Sequence, residues 1–226
     1  MPLVSRVPTG DRVIFITIDD GWVRDRAVID LIHREHMPVS TFLVKQAASK
    51  DPGYFKEIVS EGGTVEDHTV DHPFLSRVSA QRQTDEVCGP LDWYTSTFGT
   101  RPRLFRPPYG DYNATTGDVA KACGLAAVVL WSVDVRGRQV STQGGPLRSG
   151  DIVLLHYRKD LIQSLQVVVD QAHRLGLGFG HLEDYVLPHQ PPPNEPPPQQ
   201  SPPPDAPPPS PPPDSPVPQL PRLPPE

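Results

Sequence analysis

The 226-residue sequence has only two cysteines, no long apolar segment and no excess of basic residues. Because no window reaches about 18 uninterrupted apolar residues, the sequence predicts no membrane-spanning helix. The formal net charge of −6, with no basic cluster, argues against a nucleic-acid partner. Cys88 and Cys123 allow one disulfide at most, and two buried thiols packed as small apolar side chains fit the pattern at least as well.

Proline has its ordinary frequency in most of the chain and dominates its end. Residues 188–226 include 21 prolines in 39 positions, whereas residues 1–187 contain the other 10. The sequence therefore predicts one globular domain over 1–187, long enough to bury a core, and a proline-rich tail over 188–226. Because proline donates no backbone hydrogen bond, we expect the tail to be disordered or an extended spacer. It could also bind a proline-recognising partner or contact a cell wall.

The first predicted strand begins within the first dozen residues, which are fewer than an export signal with its apolar segment requires. Taken as it stands, the sequence predicts a cytoplasmic protein. Removal or truncation of an export signal is the alternative, and the sequence does not separate the two.

Apolar strand-like runs alternate with segments of helical periodicity along residues 12–187. The predicted strands are 12–18, 39–44, 64–66, 103–106, 126–133 and 151–157, with a short one near 177–180. The predicted helices are 25–37, 52–63, 79–99 with a bend at Pro90, 114–124 and 161–176. This alternation predicts an α/β fold with a parallel sheet and helical crossovers. Strands that are apolar throughout indicate that both faces of the sheet are covered.

Polar residues stand where these predicted strands end. Carboxyl ends of parallel strands meet at one edge of a sheet, so we expect the residues to line one crevice. The residues are Asp19, Asp20, His68, His72, Arg106, Asp134 and His156. Taken singly, an Asp-Asp-Gly turn, a spaced histidine pair and a histidine after an apolar run each fit ordinary structural roles. Their joint occurrence in this order favours a functional site.

The adjacent carboxylates Asp19 and Asp20 repel each other, and burying them is costly unless a cation or hydrogen bonds compensate. His68 and His72 are four positions apart, so both imidazoles can reach one ion in a turn or short helix. One carboxylate would complete an Asp/His/His set for Zn²⁺, or for Co²⁺, Mn²⁺, Fe²⁺ or Ni²⁺. The other carboxylate would remain free to take a proton from an attacking water.

Five short motifs occur in order along residues 11–187: TIDDG, HTVDH, RPPYG, LWSVD and LLH. Together they resemble the motifs of the polysaccharide deacetylases, the NodB-homology domains of carbohydrate esterase family four. The resemblance implies a distorted, incomplete (β/α) barrel. It also implies a metal-dependent hydrolase that removes N-acetyl groups from peptidoglycan or chitin-like glycans, with an O-acetyl esterase on xylan-like glycans as the alternative. By the same resemblance, the protein would be extracellular or associated with the cell wall.

The first motifs carry the implied base and metal ligands. By position, Asp19 would be the general base. Asp20, His68 and His72 would hold the divalent ion, most readily zinc. Arg106 would keep Asp19 ionised and correctly aimed through a charge-assisted hydrogen bond.

The later motifs carry the implied oxyanion, acid and pocket residues. The backbone N–H of Tyr109 would bind the oxyanion, and His156 would protonate the leaving amine. Trp131 and Leu154 would form the walls of the pocket for the acetyl methyl group. Many members continue the fourth motif as D-x-x-D-W, whereas this sequence reads DVRGR. Asp134 is therefore the aspartate available as a partner for His156.

Other positions also depart from the family pattern. Asp67 replaces the usual asparagine before His68, where it could orient a ligand or serve as an ordinary loop residue. Arg136 and Arg138 could contact an anionic glycan, although a solvated loop is the simpler interpretation. A catalytically silent glycan-binding domain remains the rival from another class, supported by the altered fourth motif.

Overall fold

The computed structural model describes residues 1–143 and 145–187. The predicted proline-rich tail lies outside these residues, so its expected disorder and the domain boundary near Leu187 stay predictions. Within the described part of the chain, no helix is both long enough and apolar enough to cross a bilayer.

Strands and helices alternate through the described residues. The strands are β1 (Leu3–Val4), β2 (Val13–Asp20), β3 (Val39–Leu43), β4 (Thr64–Asp67), β5 (Leu104–Phe105), β6 (Ala127–Val129), β7 (Val133–Arg136), β8 (Gln139–Thr142), β9 (Ile152–His156) and β10 (Gly178–Phe179). The helices are α1 (Arg26–Arg34), α2 (Lys45–Ala48), α3 (Pro52–Ser60), α4 (Ala80–Cys88), α5 (Leu91–Phe98), α6 (Ala114–Ala122), α7 (Leu161–Leu175) and α8 (Leu182–Val186).

The strands form a curled half-barrel with helices packed outside it. Their order is β1-β6-β5-β4-β3-β2-β9-β7-β8, and β10 pairs with β2. All described strand pairs are parallel except β7 with β8. The predicted incomplete (β/α) barrel is therefore confirmed. The expectation of a purely parallel sheet is wrong at one edge, where the unpredicted β8 folds back on β7 as a hairpin.

The alternation along β2 separates the core into an outer and an inner layer. Ile14, Ile16 and Ile18 pack in the cluster that includes residues of α1, α3 and α7. Phe15 packs in a second cluster with residues of β3, β5, β6 and β9. Because side chains on a strand point to alternate faces, Asp19 shares the inner face with Phe15. The strand thereby carries a carboxylate to the end of the barrel interior.

The segment 126–133, predicted as one strand, forms two. Between β6 and β7, the N–H of Leu130 donates to the carbonyl of Val4, and the N–H of Ser132 donates to that of Ile152. The chain thus changes strand partners between β6 and β7, which no apolar pattern reveals. Trp131 lies at this change of direction, where its indole faces the site described below.

The segment 79–99, predicted as one bent helix, forms α4 and α5 with Pro90 at the N-cap of α5. Proline lacks the N–H that would continue the helix, and its ring clashes with the preceding turn. Gly89 and Pro90 both keep right-handed helical backbone angles, so the predicted bend lies where the two helices meet.

Cys88, at the end of α4, and Cys123, after α6, form a disulfide with their Cα atoms 5.3 Å apart. The sequence left this pairing and two buried thiols as alternatives. The crosslinked cysteines are 35 positions apart, so the bond restricts the unfolded chain and stabilises the fold by about 3–4 kcal/mol.

We expect Cys88→Ala/Cys123→Ala to lower the midpoint of urea or thermal unfolding by an amount that corresponds to this loss. Reducing agent should produce a similar shift in the unmodified protein and none in the double variant. Unfolding of the unmodified protein that does not respond to reductant would contradict the bond.

Candidate active site

The carboxyl ends of the strands surround a cavity of about 210 Å³. It is lined by Asp19, Asp20, His68, His72, Tyr109, Trp131, Arg136, Leu154, His156 and Arg158. Eight of the ten side chains predicted for the site therefore line the same cavity. Of the other two, Arg106 lies buried behind Asp19, and Asp134 lines an adjoining cavity.

Asp20, His68 and His72 converge on one point. The Oδ1 atom of Asp20 lies 3.7 Å from Nε2 of His68 and 3.3 Å from Nε2 of His72, and the two nitrogens are 3.1 Å apart. This carboxylate oxygen is buried and accepts no hydrogen bond from the described residues. Atoms so close together fit a common ion bound at about 2 Å, and the Asp/His/His set suits zinc and related divalent ions. These three residues could therefore hold a metal.

The backbone fixes the tautomer of His68. Its Nδ1 donates a hydrogen bond of 2.6 Å to the carbonyl oxygen of Arg106, which leaves Nε2 unprotonated and directed toward Asp20. The ring is completely buried, and burial lowers its pKa to about 3. The imidazole therefore remains neutral, as a metal ligand must be.

Buried acids shape the turn between the two histidines. Asp67 accepts a hydrogen bond of 3.0 Å from the N–H of Thr69. Glu86, on α4, accepts hydrogen bonds from the N–H groups of Val70 and Asp71 at 2.9 and 3.0 Å. These bonds organise the backbone that carries His72 back toward His68. Asp67 thus acts on the turn, and Glu86 is a supporting residue for which the sequence contains no local signal.

Asp19 and Arg106 form a buried ion pair beside the three possible ligands. The Nη1 atom of Arg106 donates to Oδ1 of Asp19 at 2.7 Å and to Oγ1 of Thr17 at 2.8 Å. Its other nitrogens donate to the carbonyls of Val129 and Leu130. Burial raises the pKa of Asp19, and the positive charge of Arg106 opposes that effect. Asp19 is therefore a buried carboxylate whose position is fixed by Arg106, as is typical of a general base.

The turn at the end of β2 gives the two adjacent carboxylates, Asp19 and Asp20, different neighbours. Asp20 has a positive φ of 80°, and Gly21 follows with a φ of 103°. A Cβ at Gly21 would lie 3.1 Å from Phe55, so both the backbone and the space favour glycine. Burial raises the pKa of Asp20, and the charge of Asp19 raises it further. A cation next to Asp20 would relieve both costs.

His156 ends β9 and pairs in register with Asp19 across the parallel ladder. Burial lowers its pKa, and the negative charges of Asp19 and Asp134 act in the opposite direction. Asp134 does not pair with it by a hydrogen bond in the described residues; one oxygen of Asp134 lies 3.1 Å from Nη2 of Arg136. The predicted partnership of Asp134 with His156 therefore stays a prediction.

Trp131 and Leu154 line the cavity between His156 and the RPPYG turn. Gly110 allows the turn to approach the indole, because a Cβ there would lie 3.2 Å from Trp131. Tyr109 has a φ of 61°, and its backbone N–H meets no acceptor within the described parts of the chain. A free N–H beside the cavity is what an oxyanion requires.

The family model for polysaccharide deacetylases matches residues 6–128. The chain is similar to an uncharacterized protein of Streptomyces coelicolor, with 35% identity over 82% of this chain and 77% of that protein. It is also similar to a chitooligosaccharide deacetylase of Bradyrhizobium, with 33% identity over 66% and 72% of the two chains. A peptidoglycan-N-acetylglucosamine deacetylase of Bacillus cereus is 27% identical over 76% and 87%.

Solved structures agree with this fold. A peptidoglycan N-acetylglucosamine deacetylase superposes with a TM-score of 0.72 at 21% identity, over 81% of this chain and 92% of that one. A family-four pseudoenzyme from Bacillus anthracis has the same TM-score at 16% identity, over 81% and 68% of the two chains. At these identities the likeness establishes the fold alone, whereas the family rests on the sequence match. This chain, with its curled half-barrel and five ordered motifs, belongs to the polysaccharide deacetylase family.

Proposed function

We propose that this protein is a metal-dependent hydrolase that removes acetyl groups from polysaccharides, with N-acetylated amino sugars as its substrates. The observation that carries this proposal is the convergence of Asp20, His68 and His72 beside the Asp19–Arg106 pair. Relatives named as chitooligosaccharide and peptidoglycan deacetylases support the substrate class.

Asp20, His68 and His72 would hold the divalent ion, for which we propose zinc, with cobalt, manganese, iron or nickel also compatible. When bound there, such an ion would supply a Lewis acid that polarises the acetyl carbonyl and makes water more acidic. Asp19 would take the proton of the attacking water. Arg106 would align Asp19 and favour its ionised form, because its charge and its 2.7 Å hydrogen bond oppose the rise in pKa that burial causes.

The remaining residues would act on the carbonyl and the leaving group. The free N–H of Tyr109 would donate to the developing oxyanion. His156 would protonate the leaving nitrogen. Burial lowers the pKa of its imidazole, and the charges of Asp19 and Asp134 oppose that effect in favour of the imidazolium that this role requires. Trp131 and Leu154 would enclose the acetyl methyl group and exclude water from it.

Two rival functions lead to different products or to none. An O-acetyl esterase would use the same carbonyl chemistry but release a hydroxyl in place of an amine. A glycan-binding domain without catalytic activity is the second rival. The pseudoenzyme from Bacillus anthracis shows that this fold also occurs without activity. The presence of all three possible ligands, of Asp19 with its partner, and of His156 supports a catalyst.

We expect the full chain, loaded with zinc, to release acetate and generate free amines from chitin oligomers or peptidoglycan, and to act less well on acetylxylan. A chelator should stop the release, and added zinc should restore it. Acetate measured enzymatically and amines measured by fluorescamine would separate de-N-acetylation from ester cleavage. Fully metal-loaded protein that releases acetate from none of the three glycans would contradict the proposal.

We also propose that the protein functions outside the cytoplasm, in contact with the cell wall. The Cys88–Cys123 disulfide supports this location, because such bonds persist mainly in oxidising compartments. The relative from Bacillus cereus that is named for peptidoglycan supports it as well.

A further inference from the structure

The turn that carries Tyr109 has a backbone conformation that residues with a side chain rarely adopt. Tyr109 lies in the left-handed region, with a φ of 61° and a ψ of 6°. The N–H of Gly110 donates to the carbonyl of Pro107 at 3.0 Å. The N–H of Asp111 donates to the carbonyl of Pro108 at 2.9 Å, which closes the turn around Tyr109. Because such a conformation persists only where neighbouring contacts hold it, these contacts decide where the Tyr109 N–H points.

An aromatic stack joins Tyr109 to the segment that follows His72. The ring of Phe74 lies against that of Tyr109, with the centroids 4.0 Å apart and an angle of 12° between the planes. The guanidinium of Arg77 lies 4.3 Å from the centroid of the Phe74 ring. Two groups this close to one centroid cannot share a face of the ring, so both faces of Phe74 are covered. Phe74 therefore supports Tyr109 and has no free face on which a sugar could stack.

Hydrogen bonds hold the same two segments together. The backbone N–H of Ser76 donates to Oδ2 of Asp111 at 2.8 Å, and the Ser76 hydroxyl donates to Oδ1 at 2.7 Å. The rings of His72 and Tyr109 are also in contact, with their centroids 4.5 Å apart. Asp111 directly follows the RPPYG turn, and His72 ends the HTVDH turn. The two turns are thus joined by a stack, a ring contact and a pair of hydrogen bonds.

We propose that Phe74 and Asp111 are positioning residues that aim the backbone N–H of Tyr109 at the acetyl oxygen. The inference rests on the proposed function and adds to it two residues that lie outside the five motifs. Negative charge develops on the acetyl oxygen in the transition state, so a donor is most effective when it is aligned beforehand. Loss of a complete oxyanion donor lowers kcat by about 10²- to 10³-fold, and misalignment of the donor should cost less.

Phe74→Ala removes the stack. We expect kcat for acetate release to fall about tenfold while KM stays within about twofold, because the donor acts on the transition state more than on bound substrate. Phe74→Tyr keeps a stacked ring and should restore kcat to within about twofold. Asp111→Ala removes both acceptors of Ser76 and should lower kcat in the same way. Rates would be measured at saturating zinc, with zinc content determined on each sample, on chitin oligomers and on peptidoglycan.

A tetrahedral analogue provides a readout that does not depend on turnover. The methylphosphonamidate of glucosamine carries an anionic oxygen where the oxyanion would form, so its affinity should fall about tenfold in Phe74→Ala. A chitin oligomer carries a planar amide and should bind Asp19→Asn and Asp19→Asn/Phe74→Ala with affinities within about twofold of each other. Equal weakening of the analogue and the oligomer would indicate a general structural effect and would overturn the proposal.

Tyr112→Ala and Asp118→Ala are the matched controls, because both residues are exposed close to the turn and take part in none of these contacts. Both should keep the kcat of the unmodified protein. If Phe74→Ala and Asp111→Ala behave as these controls do, or if lost zinc accounts for their lower kcat, the positioning role is rejected and the proposed function stands. An unmodified, zinc-loaded protein that releases no acetate from either glycan would reject both together.

Discussion

Asp19→Asn is expected to lower acetate release by about 10²- to 10⁴-fold, because asparagine cannot take a proton from the attacking water. The amide oxygen can still accept the hydrogen bond from Arg106, and Asp19 is not among the three possible ligands. Zinc content should therefore stay near that of the unmodified protein. Acetate release and elemental analysis of the same sample would measure the two effects together.

Asp30→Asn is a matched control, since Asp30 is exposed on α1 and lies outside the cavity. It should leave both activity and zinc content unchanged. The substitution at Asp19 also leaves the fully buried charge of Arg106 without its counterion, so the unfolding midpoint should fall, and activity must be measured below it. Near-normal activity in folded Asp19→Asn would mean that another group is the base.

His68→Ala or His72→Ala is expected to abolish activity by removing a metal ligand. Loss of a supporting partner costs roughly 10- to 100-fold in metal affinity, and loss of a ligand should cost more. Zinc should raise the unfolding midpoint of the unmodified protein and have little effect on either variant, since binding to the native state stabilises it. Calorimetric zinc titration and thermal unfolding with and without zinc would measure this.

His33→Ala removes an exposed histidine on α1 and should behave as the unmodified protein does. Zinc affinity in His72→Ala equal to that of the unmodified protein would place the metal elsewhere. Both histidines should matter to a similar degree, since each presents its Nε2 to the same carboxylate oxygen.

Zinc affinity should fall with acidification, because a ligand must be deprotonated to bind. The direction of the pKa shift differs between the ligands His68 and Asp20. Burial lowers the pKa of His68 to about 3, so this imidazole is still neutral at pH 5. Burial raises the pKa of Asp20, so its carboxylate takes up a proton at higher pH than an exposed aspartate does. Zinc titrations at falling pH should therefore show a loss of affinity that Asp20→Asn reduces, and a pH-independent affinity would contradict this assignment.

Much of the barrel and most of the cavity could be predicted from the sequence, because the relevant information is local. Alternating apolar strands and helices specify an α/β fold, and parallel strands bring their carboxyl ends to one edge. That rule is why Asp19, His68 and His156, which are far apart in the chain, are found in the same cavity. The order of the five motifs indicated the family, and the family model and the sequence relatives confirmed it.

Tertiary structure decided the features that depend on contacts between distant segments. The hydrogen bonds of Leu130 and Ser132 to two different strands divide one apolar run into β6 and β7. Glu86 supports the histidine turn from a helix, and Arg158 faces the cavity although its sequence context is that of an ordinary polar turn. The disulfide, too, requires the ends of α4 and α6 to meet.

The amino-acid sequence by itself determined the family, the order of strands and helices and the residue types available for chemistry, because motifs and periodicity are properties of neighbouring residues. Only the folded chain decided which carboxylate faces the two histidines and which one pairs with Arg106. Those outcomes depend on backbone direction at β2 and on partners brought together across the barrel, and such distances are set by packing.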